Sequence, residues 1–371
     1  MKRKKPRSSP RTADALLDDG ARHYERGELA DAEARYRDAL ALDPDHLGAL
    51  NLLAHLLVDR GDPEAAIELL DHARALAPNL APTHLGLGSA YAAAGYDELA
   101  IAAKEPAATL DATSTEPLER LARHHITHRR PREAIGLLRR VLRRDPAHEH
   151  ARFLLAGLSG NEHIATAPAA LVAELFDSYA PKFEEHLVAK LAYRVPADLA
   201  ALVVAAGHPP AAAWTVLDLG CGTGLAGLAF RAHARRLIGS DLSPRMIDHA
   251  RARGIYDELH VEDLIATLGR AHADVDLIVA ADVFIYVGAL EAAFAAAAAA
   301  LHPGGVLAYS TERSPGDDVA LLPSLRYAHA DAYLARLAGA HGFTVVRAEP
   351  SILRVDHGDP IAGTLHVLVR D

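Results

Sequence analysis

A glycine-rich turn after an apolar run is the part of this sequence with the clearest chemical potential. It reads VLDLGCGTG over residues 216–224, and its glycines are Gly220, Gly222 and Gly224. Glycine tolerates a left-handed backbone and lets a turn approach a ligand closely. A dinucleotide-binding fingerprint requires a glycine where this chain has Leu225, and a P-loop requires a Lys-Ser or Lys-Thr pair that does not follow. The spacing therefore indicates a nucleotide site of another kind.

This turn resembles motif I of class I S-adenosylmethionine-dependent methyltransferases. The resemblance implies that the three glycines approach the methionine part of the cofactor, with Cys221 as a small residue beside it. It also implies that Asp218 pairs with the cofactor's amino group, directly or through water. Four further motifs of these enzymes follow in order, and they read LIGSDLSPRMI, HVEDL, IVAADVFIYV and LHPGGVLAYSTE.

The later motifs place carboxylates at the ends of apolar runs. In the family that the chain resembles, Asp241 would accept hydrogen bonds from two ribose hydroxyls, which suits the two oxygens of one carboxylate. Nicotinamide enzymes share this feature, so Asp241 alone does not separate the two classes. Asp263 is expected to accept a hydrogen bond from the adenine amino group, and Asp282 to lie near the sulfonium. The apolar residues expected around the cofactor are Leu242, Met246 and Leu264.

Candidate residues for the methyl acceptor lie in the loops over the strand ends. Methyl transfer is an in-line displacement in which the enzyme chiefly aligns the reactants, so one catalytic base or none is needed. His329 suits proton abstraction, or else it caps the following helix. Arg326 can bind an acceptor carboxylate through two hydrogen bonds, or else it is solvated. The remaining candidates are Tyr179 and Tyr286 for catalysis, and Tyr327 and Glu312 for acceptor binding.

Several acceptor classes fit the motifs badly. The fourth predicted strand ends in ADVF and not in the Asn/Asp-Pro-Pro-Tyr/Phe sequence of enzymes that methylate exocyclic amines of nucleic acids or glutamine. Cys221 lies inside the cofactor turn, so a cysteine-nucleophile mechanism has no candidate residue. Methylation at O or N of a peptide or protein is the preferred prediction, and a small metabolite is the alternative. A scaffold that senses the cofactor without turnover is the alternative from another class.

An aromatic segment precedes the glycine turn and looks like the lid helices of small-molecule and bacterial orphan methyltransferases. It reads FDSYAPKFEEHLVAKLAYRVP over residues 176–196. Tyr179, Phe183 and His186 follow one another at helical spacing. Core packing is the simpler interpretation of Phe183, whereas Tyr179 is the better candidate for contact with cofactor or acceptor.

The elements that must position these residues alternate between strands and helices. Seven apolar runs are predicted as strands, over residues 214–219, 236–240, 259–261, 277–280, 305–310, 343–348 and 365–369. This alternation predicts a doubly wound, Rossmann-like α/β fold with a seven-stranded, mainly parallel sheet and ligands at its carboxyl edge. The last two strands are joined without a helix, which predicts an antiparallel hairpin at one edge.

A repeat with a period of 34 residues occupies the first part of the chain. Prolines at 44, 78 and 146 share its phase, and four units begin near residues 13, 47, 81 and 115. Small residues recur on the first helix (Gly20, Ala54, Gly88 and Ala122) and on the second (Ala32, Ala66, Ala100 and Ala134). The period and pattern resemble the tetratricopeptide repeat (TPR), an all-α solenoid. Its concave face is expected to bind a peptide or protein, or else the repeats serve packing or assembly.

The third and fourth units depart from the repeat in ways that make further predictions. Lys104 takes a large apolar position, and Pro106 falls inside the expected second helix. An interior proline costs roughly 3 kcal/mol, so this helix is expected to be shortened or bent, or else the solenoid is locally irregular there. In the fourth unit, His124 and His128 can share a helical face. A solvated face is favoured over a metal site there because no third ligand has supporting spacing.

Composition sets the remaining bounds. The 371 residues carry a formal charge of −10, and six basic residues stand in the first eleven. The acidic remainder is a poor surface for nucleic acid. A single cysteine fits a reducing compartment, and no apolar stretch is long enough to span a bilayer, so a cytoplasmic location is predicted.

The predicted organisation is a disordered tail (1–11), a repeat domain (12–158), linker and lid helices (159–213) and a methyltransferase domain (214–371). Neither a metal nor an oligomeric state is assigned.

Overall fold

Paired helices fill the N-terminal part of the protein. The computed structural model describes residues 12–110, 114–160, 164–180, 183, 193–271, 274–356 and 358–371. The predicted basic tail, and most of the predicted lid with His186, lie outside these residues. Contacts divide the chain into two units, residues 1–151 and 152–371.

The helices of the first unit follow the predicted period. They are α1 (Ala13–Glu25), α2 (Leu29–Leu42), α3 (Leu47–Asp59), α4 (Pro63–Leu76), α5 (Ala81–Ala93), α6 (Asp97–Leu110), α7 (Glu116–Thr127) and α8 (Pro131–Arg144). The first helices of the four pairs begin at residues 13, 47, 81 and 116, which confirms the repeat. A ninth helix, α9 (Glu149–Ser159), follows them and continues into the second unit.

Small residues bring the paired helices together, as the pattern predicts. Ala32, Ala66 and Ala134 are fully buried, and so is Ala54 on the first-helix phase. A Cβ atom added to Gly20 would lie 2.5 Å from the ring of Tyr36, which itself is buried. The spacing between the helices of a pair is therefore set by positions whose side chain is a methyl group or a single hydrogen.

Helix α6 runs through Pro106 for 14 residues, the same length as α2, α4 and α8. The predicted shortening is wrong. Ala100 and Ala107 on α6 are fully buried, so packing of the small face holds the helix across the proline. Lys104 fills its apolar position with the aliphatic stem, which lies against Gly88. Burial lowers the pKa of this lysine.

The second unit is built on one mixed sheet. Its strands are β1 (Trp214–Leu219), β2 (Ala234–Asp241), β3 (Glu258–Val261), β4 (Val275–Ala280), β5 (Leu301–Arg313), β6 (Ala320–Leu321), β7 (Tyr327–His329), β8 (Phe343–Asp356) and β9 (Asp359–Arg370). The first five are parallel in the order β3-β2-β1-β4-β5, and β9 pairs antiparallel with β5. The predicted doubly wound fold is confirmed, and the short strands β6 and β7 were not predicted.

Strands β8 and β9 form the predicted antiparallel hairpin, but they are much longer than expected. Residues 349–356 and 359–363, expected to be loop, continue the two strands because their backbone groups pair with each other. Since β8 runs antiparallel to β9 and β9 antiparallel to β5, β8 is parallel to β5. The end of β8 therefore lies at the same edge of the sheet as the ends of β1 to β5.

Helices cover both faces of this sheet. They are α10 (Ala169–Tyr179), α11 (Val195–Ala205), α12 (Leu225–Phe230), α13 (Pro244–Ala252), α14 (Leu264–Arg270), α15 (Glu291–Ala300) and α16 (Asp331–Ala340). One apolar core lies under α15 and α16, and a second lies under α11 and α12. Among the described residues, no helix is both long and apolar enough to cross a membrane.

Candidate active site

The glycine turn leaves β1 in a conformation that side chains disfavour. Gly220, Gly222 and Gly224 have φ angles of 57°, 54° and 95°. A Cβ atom at Gly220 would lie 2.7 Å from the side chain of Val283, which follows β4. The N–H of Gly222 donates to Asp241 Oδ2 at 2.9 Å, which ties the turn to the end of β2. The turn is thus fixed in shape, and because its glycines have no side chains, a ligand can approach the backbone closely.

Tyr256 is a site residue that the sequence analysis missed. Cβ atoms added to Gly227 or Gly239 would collide with its ring, and one at Gly224 would lie 3.1 Å away. Its hydroxyl donates to Asp218 Oδ2 at 2.6 Å. The only signal in the sequence is the pair of additional glycines, which leave room for a large ring behind the turn.

Asp218 is buried at the end of β1 and is only partly satisfied. Its second oxygen, Oδ1, makes no hydrogen bond of ordinary geometry among the described residues, although the N–H of Gly227 lies near the carboxylate and also acts to lower its pKa. Burial raises the pKa of Asp218 to about 7, although the hydrogen bond from Tyr256 works in the opposite direction. A buried carboxylate oxygen without a partner is costly, so it is a ready acceptor for a ligand ammonium group. This residue fits the predicted contact with the cofactor's amino group.

Cys221 stands inside the turn with its thiol buried. Burial raises its pKa well above the usual value, so the sulfur stays protonated and is a poor nucleophile. A Cβ atom at Gly239 would lie 3.1 Å from the Cys221 sulfur. The cysteine therefore acts as a small packing residue between β1 and β2, in keeping with the sequence analysis.

Asp241 ends β2 with both oxygens held by backbone donors. Oδ2 accepts from Gly222, and Oδ1 accepts from the N–H of Ser243 at 2.8 Å. Each oxygen keeps a second lone pair, which leaves acceptors for two hydroxyl groups. Burial raises the pKa of this carboxyl. The neighbouring Leu242 is half-buried, whereas Met246 is fully buried in the first turn of α13.

Asp263 lies at the end of β3 and is exposed. Its Oδ1 accepts from the N–H of Ile265 at 2.7 Å and so caps α14. Leu264, the next residue, is half-buried. The carboxylate retains an oxygen for a ligand, so its predicted role toward adenine stays a prediction beside the capping role that the structure shows.

Asp282 follows β4 with a φ of 57°, which is unusual for a residue other than glycine. Its Oδ1 accepts from the Ser310 hydroxyl at 2.9 Å, and its Oδ2 accepts from Arg354 at 3.1 Å. Arg354 also donates to Glu312, and both of these side chains are buried. Arg354 Nε is buried with no partner among the described residues. The network fixes Asp282 in its strained conformation at the edge where β4 and β5 end.

Arg354 was missed because β8 was predicted to end before it. Its signal is a single cation in the apolar run ILRV. The other arginine at this edge, Arg326, pairs with Asp356 at 3.2 Å. Two guanidinium groups thus face three carboxylates, those of Asp282, Glu312 and Asp356. Because Arg326 is already neutralised, the geometry argues against its predicted role as a receptor for an acceptor carboxylate.

His329 and Tyr327 lie in β7 and are both buried. His329 Nε2 lies 3.0 Å from two carbonyl oxygens, those of Val287 and Gly288, so this nitrogen must carry the hydrogen. Burial lowers the pKa of the imidazole. The Tyr327 hydroxyl donates to the carbonyl of Ile164 at 2.7 Å. Both side chains join backbone segments, which argues against the predicted roles of catalytic base and acceptor contact.

Four aromatic rings gather beside the glycine turn. Phe176 stands edge-on to Tyr286 at 5.4 Å, and Tyr179 stands edge-on to Phe183 at the same distance. Phe183 also faces Gly222, where an added Cβ atom would lie 3.8 Å from the ring. Burial raises the pKa of Tyr179 to about 12 and raises that of Tyr286. Both phenols therefore stay protonated near neutral pH and can donate hydrogen bonds.

Two further residues connect the N-terminal segment of this unit to the site. Asp177 on α10 accepts from the hydroxyl of Ser243, which caps α13 next to Asp241. Tyr193, just before α11, is close enough to Asp282 and Asp218 for their charges to raise its phenol pKa together with burial. Neither residue has a distinctive sequence signal, since each depends on a contact between distant segments.

Family models match both units. Residues 216–305 match a methyltransferase domain. Residues 23–87 and 119–159 match two models of the tetratricopeptide repeat. The matched methyltransferase segment contains the glycine turn and the ends of β1 to β4.

Similar proteins are found for each unit separately. Human methyltransferase-like protein 27 is 38% identical over 97 residues, which are 26% of this chain and 37% of the relative. A magnesium protoporphyrin IX methyltransferase from Synechocystis PCC 6803, solved with SAH, is 18% identical with a TM-score of 0.43 and covers 55% of this chain and 99% of its own. MamA from Desulfovibrio magneticus RS-1 is 21% identical with a TM-score of 0.34, over 37% of this chain and 77% of its own.

Proposed function

We propose that this chain, in which matches to tetratricopeptide repeats precede a match to a methyltransferase domain, uses S-adenosylmethionine to methylate an O or N atom of a peptide or protein. The cofactor, when bound, supplies the electrophilic methyl group. The chain's own residues then have to hold the cofactor, align the acceptor and exclude water.

The observation that carries the cofactor assignment is the row of carboxylates along one sheet edge. Asp218, Asp241 and Asp263 end the adjacent strands β1, β2 and β3, and they retain acceptor oxygens. The cofactor presents an ammonium group, two ribose hydroxyls and an adenine amino group, which are all donors. The order of the strands, β3-β2-β1, would spread these donors over the three acids from adenine to amino acid.

The acceptor would enter beside the ends of β4, β5 and β8. The two arginines there are offset by three carboxylates, so the edge attracts a neutral or cationic group more than an anionic one. The protonated phenols of Tyr179 and Tyr286 can donate to the acceptor and orient it. Both Asp282 and Glu312 pair with Arg354, and Asp282 is the less buried of the two. It is therefore the carboxylate proposed to take the proton that a nitrogen or hydroxyl nucleophile loses during transfer.

The repeats support a peptide or protein acceptor, since the stacked helices of such solenoids present extended surfaces to partner chains. A small-molecule acceptor is the second candidate. The aromatic rings of Phe176, Tyr179, Phe183 and Tyr286 favour it, because together they make a surface suited to a flat or apolar molecule. In that case the repeats would serve assembly.

Calorimetric titration with S-adenosylmethionine tests the cofactor step. Absence of binding by the parent protein would contradict both the enzyme and a cofactor-sensing scaffold. Incubation of the protein with a cell lysate and cofactor labelled in the methyl group tests the acceptor, with the label sorted by molecular size. Label in protein or peptide supports the proposal, and label in small molecules alone supports the second candidate. Binding without transfer would indicate the sensor.

A further inference from the structure

Charge is distributed unevenly along the repeat unit. Residues 12–110 contain eighteen acidic and seven basic side chains, whereas residues 116–144 contain nine arginines and three glutamates. The first three repeats are therefore strongly negative and the fourth is strongly positive. Such opposite fields on one chain favour head-to-tail attraction between copies.

The positive charge is concentrated on one exposed face of α8. Arg132, Arg139 and Arg143 are seven and four residues apart, which places them within a narrow stripe of the helix. All three are exposed, and among the described residues none forms an ion pair or hydrogen bond. Gly136, in the same stripe, has open space where a Cβ atom would stand. The opposite face of α8 is buried through Ala134, Leu138 and Val141. We call the stripe 132/136/139/143 the arginine stripe.

Helix α1 carries a matching acidic stripe of residues 14, 18, 21 and 25. Asp14, Asp18 and Glu25 are exposed, and Ala21 is half-buried. Asp14 contacts His46, while Asp18 and Glu25 have no hydrogen bond or ion pair within the described part of the chain. The intervals are four, three and four residues, the same as in the arginine stripe. When the two helices run antiparallel, Asp14 faces Arg143, Asp18 faces Arg139 and Glu25 faces Arg132, with Ala21 opposite Gly136.

The pair of small residues that face each other in this arrangement matters for the fit. Ala21 and Gly136 allow two helix backbones to approach each other, while long arginine side chains reach the acids above and below. Within one chain the main packing partners of α1 are α2 and α3, and that of α8 is α7. Apart from Asp14, the charged residues of both stripes make no hydrogen bond or ion pair with the described part of the chain, so their side chains can pair with another molecule.

We propose that the acidic stripe of α1 binds the arginine stripe of α8 in a second copy of the chain. Exposed ion pairs are individually weak and screened by salt, so the association should depend on concentration and ionic strength. A dimer results when both stripe pairs close around a two-fold axis, and a longer head-to-tail oligomer results when they do not. The inference is independent of the acceptor and of methyl transfer.

Sedimentation velocity of the full chain tests the proposal at about 0.01 M and about 1 M salt, where the screening length is about 30 Å and about 3 Å. Dimers or larger species at low salt that dissociate at high salt are expected. A chain that stays monomeric at low salt at every concentration overturns the proposal. A chain would also stay monomeric if its basic N-terminal residues covered the acidic stripe, or if the arginine stripe preferred an acidic peptide. Either case counts against the proposal.

Charge reversal identifies the surfaces. The variants R132E/R139E/R143E and D14K/D18K/E25K should each be monomeric, because each then carries two stripes of the same sign. Mixed together, they should form a one-to-one complex. The unchanged acidic stripe of the first variant meets the unchanged arginine stripe of the second, and the two reversed stripes attract each other with exchanged signs. Reversal of Arg235, Arg251 and Arg336 to Glu adds the same charge outside the stripes and should leave the parent association intact. Failure of the mixture to associate, with S-adenosylmethionine binding and thermal unfolding unchanged in both variants, overturns the assignment.

Discussion

Asp241 is held by two backbone donors, at Gly222 and Ser243, and is proposed to accept two ribose hydroxyls as well. The substitution Asp241→Asn keeps the shape but replaces one acceptor oxygen with a donor. Hydrogen bonds to a charged group contribute about 1.5–3 kcal/mol, so we expect S-adenosylmethionine affinity to fall roughly tenfold to hundredfold. Isothermal titration calorimetry measures this change.

The matched control is Asp248→Asn, on the exposed side of α13 where the carboxylate pairs with Arg251. It should leave cofactor affinity unchanged, because surface ion pairs contribute little and this one lies away from the strand ends. Equal loss of affinity in both variants would indicate a general charge effect in place of ribose recognition.

The pKa of Asp218, raised by burial to about 7, predicts a pH dependence of cofactor binding. The group is charged only above that pH, and an ammonium ligand needs the charged form. Affinity for S-adenosylmethionine should therefore rise roughly tenfold from pH 6 to pH 8 and then level off.

The free energy of unfolding of the cofactor-free protein should change with pH in the opposite direction. Between pH 3.8, the ordinary pKa of an aspartate, and about pH 7, the folded chain binds more protons than the unfolded chain, so stability falls as pH rises.

Titrations at several pH values, in the parent protein and in Asp218→Asn, measure this dependence. The asparagine variant should bind more weakly at pH 8 and show a nearly flat profile. Asp248→Asn should keep the parent profile. A parent profile that is flat from pH 6 to pH 8 would show that Asp218 does not bind the cofactor's ammonium group in its charged form.

At the residue scale, local motifs predicted the glycine turn and the acids at the strand ends because each depends on a short stretch of sequence. Tyr256, Arg354 and Asp177 were missed because their contacts join segments far apart in the chain. At His329, by contrast, the residue type suggested a role that its surroundings do not favour. Its residue type suited a base, but β7 buries it between backbone carbonyls, which no local pattern reveals.

At the scale of single elements, α6 offers a direct test of packing against intrinsic helix preference. Pro106 removes a backbone hydrogen bond from a helix that nonetheless continues for 14 residues. Pro106→Ala should therefore raise the free energy of unfolding of the repeats by about 1–3 kcal/mol. Urea unfolding followed by circular dichroism measures the change.

Pro131→Ala is the control for this substitution. Pro131 begins α8, where a missing N–H has no intrahelical partner to lose, so replacement should change stability by less than about 1 kcal/mol. A similar effect of the two substitutions would mean that Pro106 costs the helix nothing, and that α6 has adapted its backbone to the ring.

The elements themselves followed from the sequence to different degrees. The helix starts in the repeats follow a strict period, and the seven core strands follow apolar runs between glycines and acids. The hairpin of β8 and β9 extends beyond its apolar residues, since backbone pairing continues through Glu349, Pro350 and Arg354. Hydrophobic pattern gives the buried centre of a strand, whereas pairing with a neighbour determines its length.

At the scale of the whole molecule, the boundary that divides the chain into two units falls within α9. Its residues from Arg152 onward belong to the second unit, where Phe153 packs on Tyr327 at 6.3 Å between ring centres. A Cβ atom at Gly157 would lie 2.7 Å from the side chain of Leu325. The sequence-based boundary after residue 158 places α9 with the repeats, whereas the residues of α9 from Arg152 onward contact β7 and the loop before it, which belong to the second unit.

This placement predicts different outcomes for two truncated chains. A chain beginning at Asp145 keeps α9 and should bind S-adenosylmethionine like the parent, whereas a chain beginning at Gly160 exposes Tyr327 and Leu325. Loss of a buried aromatic contact costs about 3–5 kcal/mol, so the shorter chain should unfold at a distinctly lower urea concentration. In the full chain, Phe153→Ala should reproduce most of this loss and Phe153→Leu only a part. If the two truncated chains are equally stable, α9 contributes nothing to the second unit, and the boundary at 158 is the functional one.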